Sequence, residues 1–188
     1  MLNEVYNRRI LELAGNIPRL GRLADAHATA TAHSKLCGST VTVDLKMDGD
    51  RVIDFAHDVK ACALGQASSS IMARNVVGAQ AHELRELRET VRRMLKENGA
   101  PPAGKWGDVA VLEPVRDYKA RHASTLMTFD AVVDAISQIE TKRGAAPGKV
   151  DTGFPQKTDQ DRAATKEAAP GKVGTGFPSG AATQAAAE

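Results

Sequence analysis

The clearest pattern along the chain is an alternation of apolar and polar residues with a period of two. Apolar side chains at positions 41, 43, 45 and 47 alternate with polar ones, and a second alternating run covers residues 53–59. Asp-Gly-Asp at residues 48–50 separates the runs and is typical of a tight turn. The pattern predicts an antiparallel β-hairpin with one buried face and one solvated face.

Helical spacing of apolar residues predicts four helices around this hairpin, at residues 4–14, 62–77, 80–97 and 124–140. The stretch before Lys35 and the stretch from Tyr118 to His122 are expected to be connections. Because a helix cannot bury its apolar stripe alone, the helices should pack on the hairpin. The predicted fold class is α+β, with a small antiparallel sheet packed against helices.

A change of composition near residue 144 predicts a domain over residues 1–143 and a disordered tail over 144–188. The tail has no Leu, Ile or Met, and Ala, Gly and Pro form about half of it. Within it, Ala-Ala-Pro-Gly-Lys-Val-Asp-Thr-Gly-Phe-Pro at 145–155 recurs with one change at 168–178. We favour a duplicated linker, and a two-copy docking motif anchored by Phe154 and Phe177 is the alternative.

Charge and hydropathy exclude several classes of partner. Lys and Arg total 25 against 23 Asp and Glu, a balance that argues against a dedicated nucleic-acid binder. No apolar run is long enough to span a membrane, and the polar first residues do not resemble a signal peptide. We therefore expect a cytoplasmic protein without membrane or nucleic-acid partners, whose two cysteines are reduced, reactive or metal-bound.

Those two cysteines flank the predicted hairpin, with Cys37 just before the first strand and Cys62 just after the second. Since a hairpin brings its outer ends together, the two thiols should be close in space although they are 25 positions apart. Thiolates attack electrophiles and bind metals. The alternatives are a disulfide between them or two small buried hydrophobic residues.

Three motifs resemble the U-type iron-sulfur cluster assembly scaffolds, the family of IscU, SufU and the NifU N-terminal domain. Asn-Ile-Pro-Arg-Leu-Gly at residues 16–21 is similar to the family turn Asn-Pro-Arg-Asn-x-Gly, and Cys-Gly-Ser at 37–39 to Cys-Gly-Asp. Cys-Ala-Leu-Gly-Gln-Ala-Ser-Ser-Ser at 62–70 matches Cys-x-x-x-x-Ala-Ser-Ser-Ser. The resemblance covers residues 1–141 and implies an IscU/SufE-like fold.

The resemblance also implies a ligand set, from which this chain departs. Ser39 stands where the family has Asp, and Ser124 stands where it has its third Cys, with His122 close to a position that is often His. The implied metal ligands are therefore Cys37, Cys62, His122, Ser39 and Ser124, and the two cysteines would bind a [2Fe-2S] cluster or zinc weakly. A dimer with two cysteines per subunit would restore four thiolates.

The function implied by the resemblance is that of a scaffold, without enzymatic activity. Such a scaffold accepts sulfur from a cysteine desulfurase, binds iron, cluster or zinc, and passes the cluster to acceptor apoproteins. The alternatives are a metal-free sulfur acceptor and a thiol-dependent sulfurtransferase that uses Cys62 as the nucleophile and Cys37 as the resolving thiol.

Several of these residues also have purely structural interpretations. Ser124 is well placed as the N-cap of the last predicted helix, and His122 has the features of an ordinary loop residue. His57, on the apolar face of its strand, is interpreted as a hydrogen-bonded core histidine. The serines at 68–70 lack the turn of a nucleophile elbow and indicate a polar start of the helix.

Overall fold

The computed structural model describes residues 7–144, which form helices around one antiparallel sheet. Its α-helices are α1 Arg8–Gly15, α2 Ala63–Asn75, α3 Ala81–Lys96 and α4 Lys119–Gly144. Its strands are β1 Ala28–Ser34, β2 Ser39–Asp48 and β3 Arg51–Lys60, and a 3₁₀ segment covers Gly104–Asp117. The fold is α+β, as predicted. The repeated tail motif lies outside the described residues, so its role stays a prediction.

The sheet has the order β1-β2-β3, and the predicted hairpin is its β2-β3 part. Val43 of β2 pairs with His57 of β3, and on the other side with Ala30 of β1. The prediction of a connection before Lys35 was wrong, because residues 28–34 form this third strand. Its inward positions are small residues such as Ala28 and Ala30, which carry too little hydrophobicity to produce a visible alternation.

One face of the sheet and the apolar faces of the helices enclose the core. α4 packs against β1 and β2, α2 and α3 pack against α4, and α1 packs against α2. The largest fully buried side chains come from all of these layers and from the 3₁₀ segment: Phe55, Phe129, Ile10, Leu13, Leu45, Leu64, Ile71, Met72, Leu84, Met94, Leu95 and Leu112. Their burial removes apolar surface from water and holds the helices on the sheet.

The other face of the sheet is polar and is covered in part by the connection at residues 16–27. Asp44 of β2 is fully buried there and accepts hydrogen bonds from Arg22 Nε at 2.6 Å, Arg22 Nη2 at 3.0 Å, Thr29 Oγ1 at 2.6 Å and the Leu23 amide at 3.0 Å. Burial raises the pKa of Asp44, but these hydrogen bonds outweigh it and the pKa is lowered. Asp44 therefore acts as an anionic tether for the connection.

His57 lies in the core, as predicted, but only one of its ring nitrogens is hydrogen-bonded. Nε2 is 3.0 Å from the carbonyl oxygen of Pro18 and must donate to it, whereas Nδ1 is buried without a partner among the described residues. Its ring meets Phe55 edge to face, with the centroids 5.0 Å apart. Burial lowers the pKa of His57, so the imidazole is kept neutral.

Within residues 7–144, none of the helices combines the length with the hydropathy that crossing a bilayer requires.

Candidate functional site

The two cysteines lie at the same end of the sheet, at a rim formed by the β1-β2 turn and the start of α2. Cys37 is exposed in the turn at residues 35–38, and Cys62 is the N-cap residue of α2 directly after β3. Thr40 pairs with Lys60, so the beginning of β2 lies beside the end of β3. The hairpin therefore brings both residues to one rim, as the sequence pattern predicts.

Ser39 connects the two cysteines through a single hydroxyl group. Its Oγ lies 3.0 Å from the sulfur of Cys37 and accepts a hydrogen bond of 3.4 Å from the backbone amide of Cys62. The side chain is buried, with 5% of its surface exposed. The residue at the family's Asp position therefore contacts both cysteines, although it carries no charge.

Ser34 gives Cys37 a second hydroxyl contact, with its Oγ 3.2 Å from the sulfur. Ser34 and Ser39 are cross-strand partners in the β1-β2 register, so their side chains lie on the same face of the sheet. Gly38 adopts a left-handed conformation, with φ of +67°, and its amide donates to the Ser34 carbonyl at 2.9 Å to close the turn. The turn thereby holds the Cys37 sulfur between two hydroxyl groups.

These contacts favour the anionic form of Cys37. The hydroxyls of Ser34 and Ser39 lower the pKa of the thiol, partial desolvation opposes them, and the positive charge of Arg121 on α4 adds a further lowering. A thiol has one proton and can donate it to only one hydroxyl, whereas a thiolate accepts from both. Cys37 is thus an exposed sulfur in surroundings that suit a thiolate.

Cys62 has a different environment, although it shares the rim. It is half-buried, and its side chain packs against the hydrophobic core. Its side chain makes no capping hydrogen bond to α2, while its backbone carbonyl accepts from the Gln66 amide at 2.9 Å. Of the two sulfurs, Cys37 is the more accessible to an approaching protein.

Ser124 lies beside the first turn of α2, but its hydroxyl has a local partner. It is fully buried, and its Oγ donates to the carbonyl of Arg121 at 2.9 Å. The helices touch here because Gly65 has no side chain: a Cβ at that position would lie 3.2 Å from the Ser124 carbonyl oxygen and 2.8 Å from Ala61 Cβ. Ser124 is not an N-cap as predicted, because α4 starts at Lys119 and Ser124 lies within it.

His122 also belongs to α4 rather than to a connection, which corrects the prediction for residues 118–122. The imidazole is buried, and Nε2 lies 3.2 Å from the carbonyl of Val115 and 3.0 Å from that of Arg116. Carbonyl oxygens only accept, so Nε2 carries the proton and links α4 to the end of the 3₁₀ segment. This nitrogen is therefore engaged in a structural contact.

The metal-ligating potential of the site rests on the two thiols. Among residues 7–144, no group of three or more His, Cys, Asp or Glu side chains is arranged to hold a metal ion. Of the predicted ligands, Ser39 and Ser124 offer neutral hydroxyls, which are weak ligands for iron or zinc unless deprotonated. The site thus provides two strong donors per chain.

The serines at 68–70 are buried and hydrogen-bonded within the fold, in keeping with their structural interpretation. Ser68 donates to the Leu64 carbonyl at 3.0 Å, and Ser70 donates to the Asn16 carbonyl at 3.1 Å. Ser69 Oγ lies 2.6 Å from Thr128 Oγ1 of α4. The motif therefore fastens α2 to α4 and to the connection after α1, rather than presenting a nucleophile.

Two residues that act on the Cys37 thiol are not evident from the sequence. Ser34 was not identified because its role depends on β1, the strand that was missed, although its position three residues before Cys37 suits a tight turn. Arg121 was not identified because its charge acts on Cys37 only through the position at which α4 packs. A cation close to a cysteine can be found only from the tertiary structure.

The three-stranded sheet, the helices packed on it and the two cysteines at one rim define a small α+β protein. The chain belongs to the NifU-like N-terminal domain family, whose profile matches residues 5–125. It is 25% identical over 135 residues to the iron-sulfur cluster assembly scaffold protein IscU of Thermotoga maritima, covering 72% of this chain and 94% of that protein.

Further relatives agree with this assignment. The chain is 22% identical over 139 residues to the zinc-dependent sulfurtransferase SufU of Bacillus subtilis, covering 74% of this chain and 94% of SufU. A crystal structure of the N-terminal part of a nitrogen-fixing NifU-like protein from Brucella abortus has 67% sequence identity and a TM-score of 0.74, and the match covers 75% of this chain and 98% of that one. The Fervidobacterium islandicum SUF scaffold structure shares the fold, with 22% identity, a TM-score of 0.66 and coverage of 71% and 98%.

Proposed function

We propose that this protein acts in iron-sulfur cluster assembly, accepting sulfur at Cys37 and carrying a [2Fe-2S] cluster on Cys37 and Cys62. The observation that carries the proposal is the shared contact of Ser39, whose hydroxyl meets the Cys37 sulfur at 3.0 Å and the Cys62 amide at 3.4 Å. Two sulfurs at one rim of a rigid sheet suit a cargo that must be assembled and then released.

The sulfur donor in this proposal is a cysteine desulfurase that carries a persulfide. The Cys37 thiolate attacks the terminal sulfur, a new S–S bond forms at Cys37, the old S–S bond breaks, and the donor cysteine leaves as a thiolate. No net oxidation or reduction occurs. The exposure of Cys37 and the hydroxyls of Ser34 and Ser39 support its choice as the attacking atom.

The second candidate function is a metal-free sulfur acceptor, which delivers sulfur without holding a cluster. It is favoured by the lack of a third His, Cys, Asp or Glu ligand at the rim within the described residues. Of the two sulfurtransferase assignments, the one with Cys37 as nucleophile and Cys62 as resolving thiol has more support than the reverse, since Cys62 is half-buried.

The test combines elemental analysis with sulfur transfer. Full-length protein is purified anaerobically, assayed for iron, zinc and acid-labile sulfide, and then incubated with a cysteine desulfurase and cysteine. We expect Cys37→Ala to abolish both the addition of a sulfur atom and the cluster absorption, and Cys62→Ala to abolish only the cluster. Sulfur transfer without any cluster would support the second candidate function, and the absence of both would refute the proposal.

A further inference from the structure

The two edges of the sheet differ in how they are covered. At the β3 edge, the His57 amide donates to the Arg19 carbonyl at 3.2 Å, and the Gly21 amide donates to the His57 carbonyl at 2.9 Å. Farther along the same edge, the Val52 amide donates to the Ala79 carbonyl at 2.9 Å. Other segments of the chain therefore satisfy part of the backbone at the β3 edge.

The β1 edge has no such cover within residues 7–144. In this part of the chain the sheet ends at β1, and no further strand or isolated bridge pairs with its free edge. The sequence Ala-Thr-Ala-Thr-Ala-His-Ser of β1 has no Pro, Lys, Arg, Asp or Glu, and its register with β2 is continuous from Ala28 to Ser34. Charges, prolines and bulges are the usual features that prevent an edge strand from pairing. β1 is therefore an edge that can accept another strand.

α4 provides the surface on which an added strand would lie. It packs against β1 and β2, and a new strand would run about 4.8 Å beyond β1. Two cavities occur where α4 meets β1, one of about 360 Å³ at the end of β1 and one of about 340 Å³ just before its start. Ala32, Leu126 and Met127 line the first cavity, and His27 and Ile139 line the second. At roughly 3.3 Å per residue, the cavities lie about 17–20 Å apart along the strand.

Positive charge borders both cavities. Lys96 of α3 and Lys119 of α4 line the first, and neither has an ion-pair partner within the described residues. Lys142 and Arg143 line the second, where they donate to backbone carbonyls, so no carboxylate cancels their charge. Asp130, which also lines the first cavity, is already ion-paired with an arginine of α3 at 2.6 Å. Both ends of the β1 edge therefore favour negatively charged side chains.

We propose that the β1 edge binds an extended acidic segment of a partner protein, which adds a fourth strand to the sheet. The backbone of the segment pairs with that of β1, and its acidic side chains lie near the two lysines at one end and near Lys142 and Arg143 at the other. Between these ends, small or β-branched side chains suit the Ala and Thr residues of β1. Neither cysteine takes part, so the inference goes beyond the proposed function and does not depend on it.

An acidic polypeptide suits this edge better than a nucleic acid or a second copy of the chain. A row of backbone N–H and C=O groups pairs with another backbone, and the cations lie at the ends of β1 instead of along its length, where a nucleic acid would need them. In an antiparallel pair of two β1 strands, the end with Lys96 and Lys119 would face the end with Lys142 and Arg143 of the other copy. Like charges would then meet at both ends.

The experiment uses the full chain and a fluorescent peptide that has two aspartates at each end of Val-Thr-Val-Thr-Val. Fluorescence anisotropy at low salt should show saturable binding that weakens as salt is added. An analogue with asparagines in place of the aspartates should bind at least about tenfold more weakly. An analogue that is N-methylated on its central residues should also lose binding, because its backbone cannot donate to β1.

A matched pair of variants and a hydrogen-exchange measurement locate the binding surface. Lys96→Gln/Lys119→Gln removes two cations at the first cavity and should weaken peptide binding about fivefold or more. Arg8→Gln/Arg9→Gln removes two cations from α1, which packs against α2 and the 3₁₀ segment, and should change the affinity by less than about twofold. In the wild type, the peptide should protect alternate amides within residues 28–34 from exchange, since one edge of that strand becomes paired.

Each of the opposite results would overturn the inference. These results are no binding at about 1 mM peptide, equal affinity for the aspartate and asparagine peptides, equal effects of the two double variants, and protection that falls outside residues 28–34. Tighter binding of single-stranded polyuridylate than of the peptide would assign the edge to a nucleic acid. Protected β1 amides in the peptide-free chain, together with a doubled mass in sedimentation, would assign the edge to a second copy.

Discussion

Replacing Ser39 with alanine is the most direct test of how this rim activates its sulfur. The substitution removes one of the two hydroxyls next to the Cys37 sulfur, at 3.0 Å, and leaves the Ser34 hydroxyl at 3.2 Å. Since the lost hydrogen bond favours the thiolate over the thiol, the pKa of Cys37 should rise in Ser39→Ala.

The size of the rise follows from the strength of such a bond and from the exposure of the sulfur. A hydrogen bond to a charged group contributes about 1.5–3 kcal/mol in protected surroundings. Cys37 is exposed, so water replaces part of the lost contact, and we expect roughly 1 kcal/mol to remain. The pKa of Cys37 should therefore rise, and at a pH below that pKa the fraction of thiolate should fall by about fivefold, since 1.36 kcal/mol corresponds to a factor of ten.

The assay is the pH dependence of Cys37 alkylation by iodoacetamide in metal-free protein that carries Cys62→Ala, so that one thiol reacts. Ser34→Ala should shift the midpoint in the same direction as Ser39→Ala. Ser137→Ala is the control, because its exposed hydroxyl donates to the Val133 carbonyl within α4. If the midpoint pH of alkylation is the same in Ser39→Ala and in the control, the Ser39 hydroxyl does not stabilise the Cys37 thiolate and the reasoning is refuted.

Two further predictions concern the scaffold that carries the rim. Gly65→Ala should lower the free energy of unfolding by about 1–3 kcal/mol, because the new Cβ would lie 2.8 Å from Ala61 Cβ and 3.2 Å from the Ser124 carbonyl oxygen. Denaturant titration measures this loss. Gly107→Ala is the control and should change the free energy little, because the position has open space around it. Asp44→Asn should lower the free energy of unfolding at pH 7 by about 1–3 kcal/mol. The folded-state pKa of Asp44 is lowered, so its contribution is complete above its unfolded value near pH 4 and disappears as the pH falls through the folded value. The difference between wild type and Asp44→Asn should therefore shrink on acidification, and a difference that stays constant would contradict the tether.

The sequence was sufficient to predict the features that depend on the local periodicity of apolar residues and on the residues of a tight turn. The alternation on either side of the Asp-Gly-Asp turn predicts β2 and β3, and with them the meeting of Cys37 and Cys62 at one rim. The family resemblance identified the fold for the same reason, since two of its three motifs, at residues 37–39 and 62–70, lie at the outer ends of these strands. Both inferences use short-range geometry, which a sequence encodes directly.

The features that could not be predicted from the sequence depend on packing between distant segments. β1 escaped notice because Ala28 and Ala30 carry little hydrophobicity, and the strand is defined by its pairing with β2. The start of α4 was placed too late because its first turn is polar, so Ser124 was wrongly assigned as a cap. The contact of Cys37 with Ser34 and the effect of the Arg121 charge on its thiol depend on these two elements and were missed with them.

The small side chains of β1 also have a consequence for the stability of the fold. α4 lies directly on this strand, and Ala28 and Ala30 present only methyl groups beneath it. Replacing either residue with a bulkier one would force α4 away from the sheet, and overpacking of this kind costs about 1–3 kcal/mol. A strand with little hydrophobicity is thus still sensitive to substitution, because its small side chains are what the neighbouring helix requires.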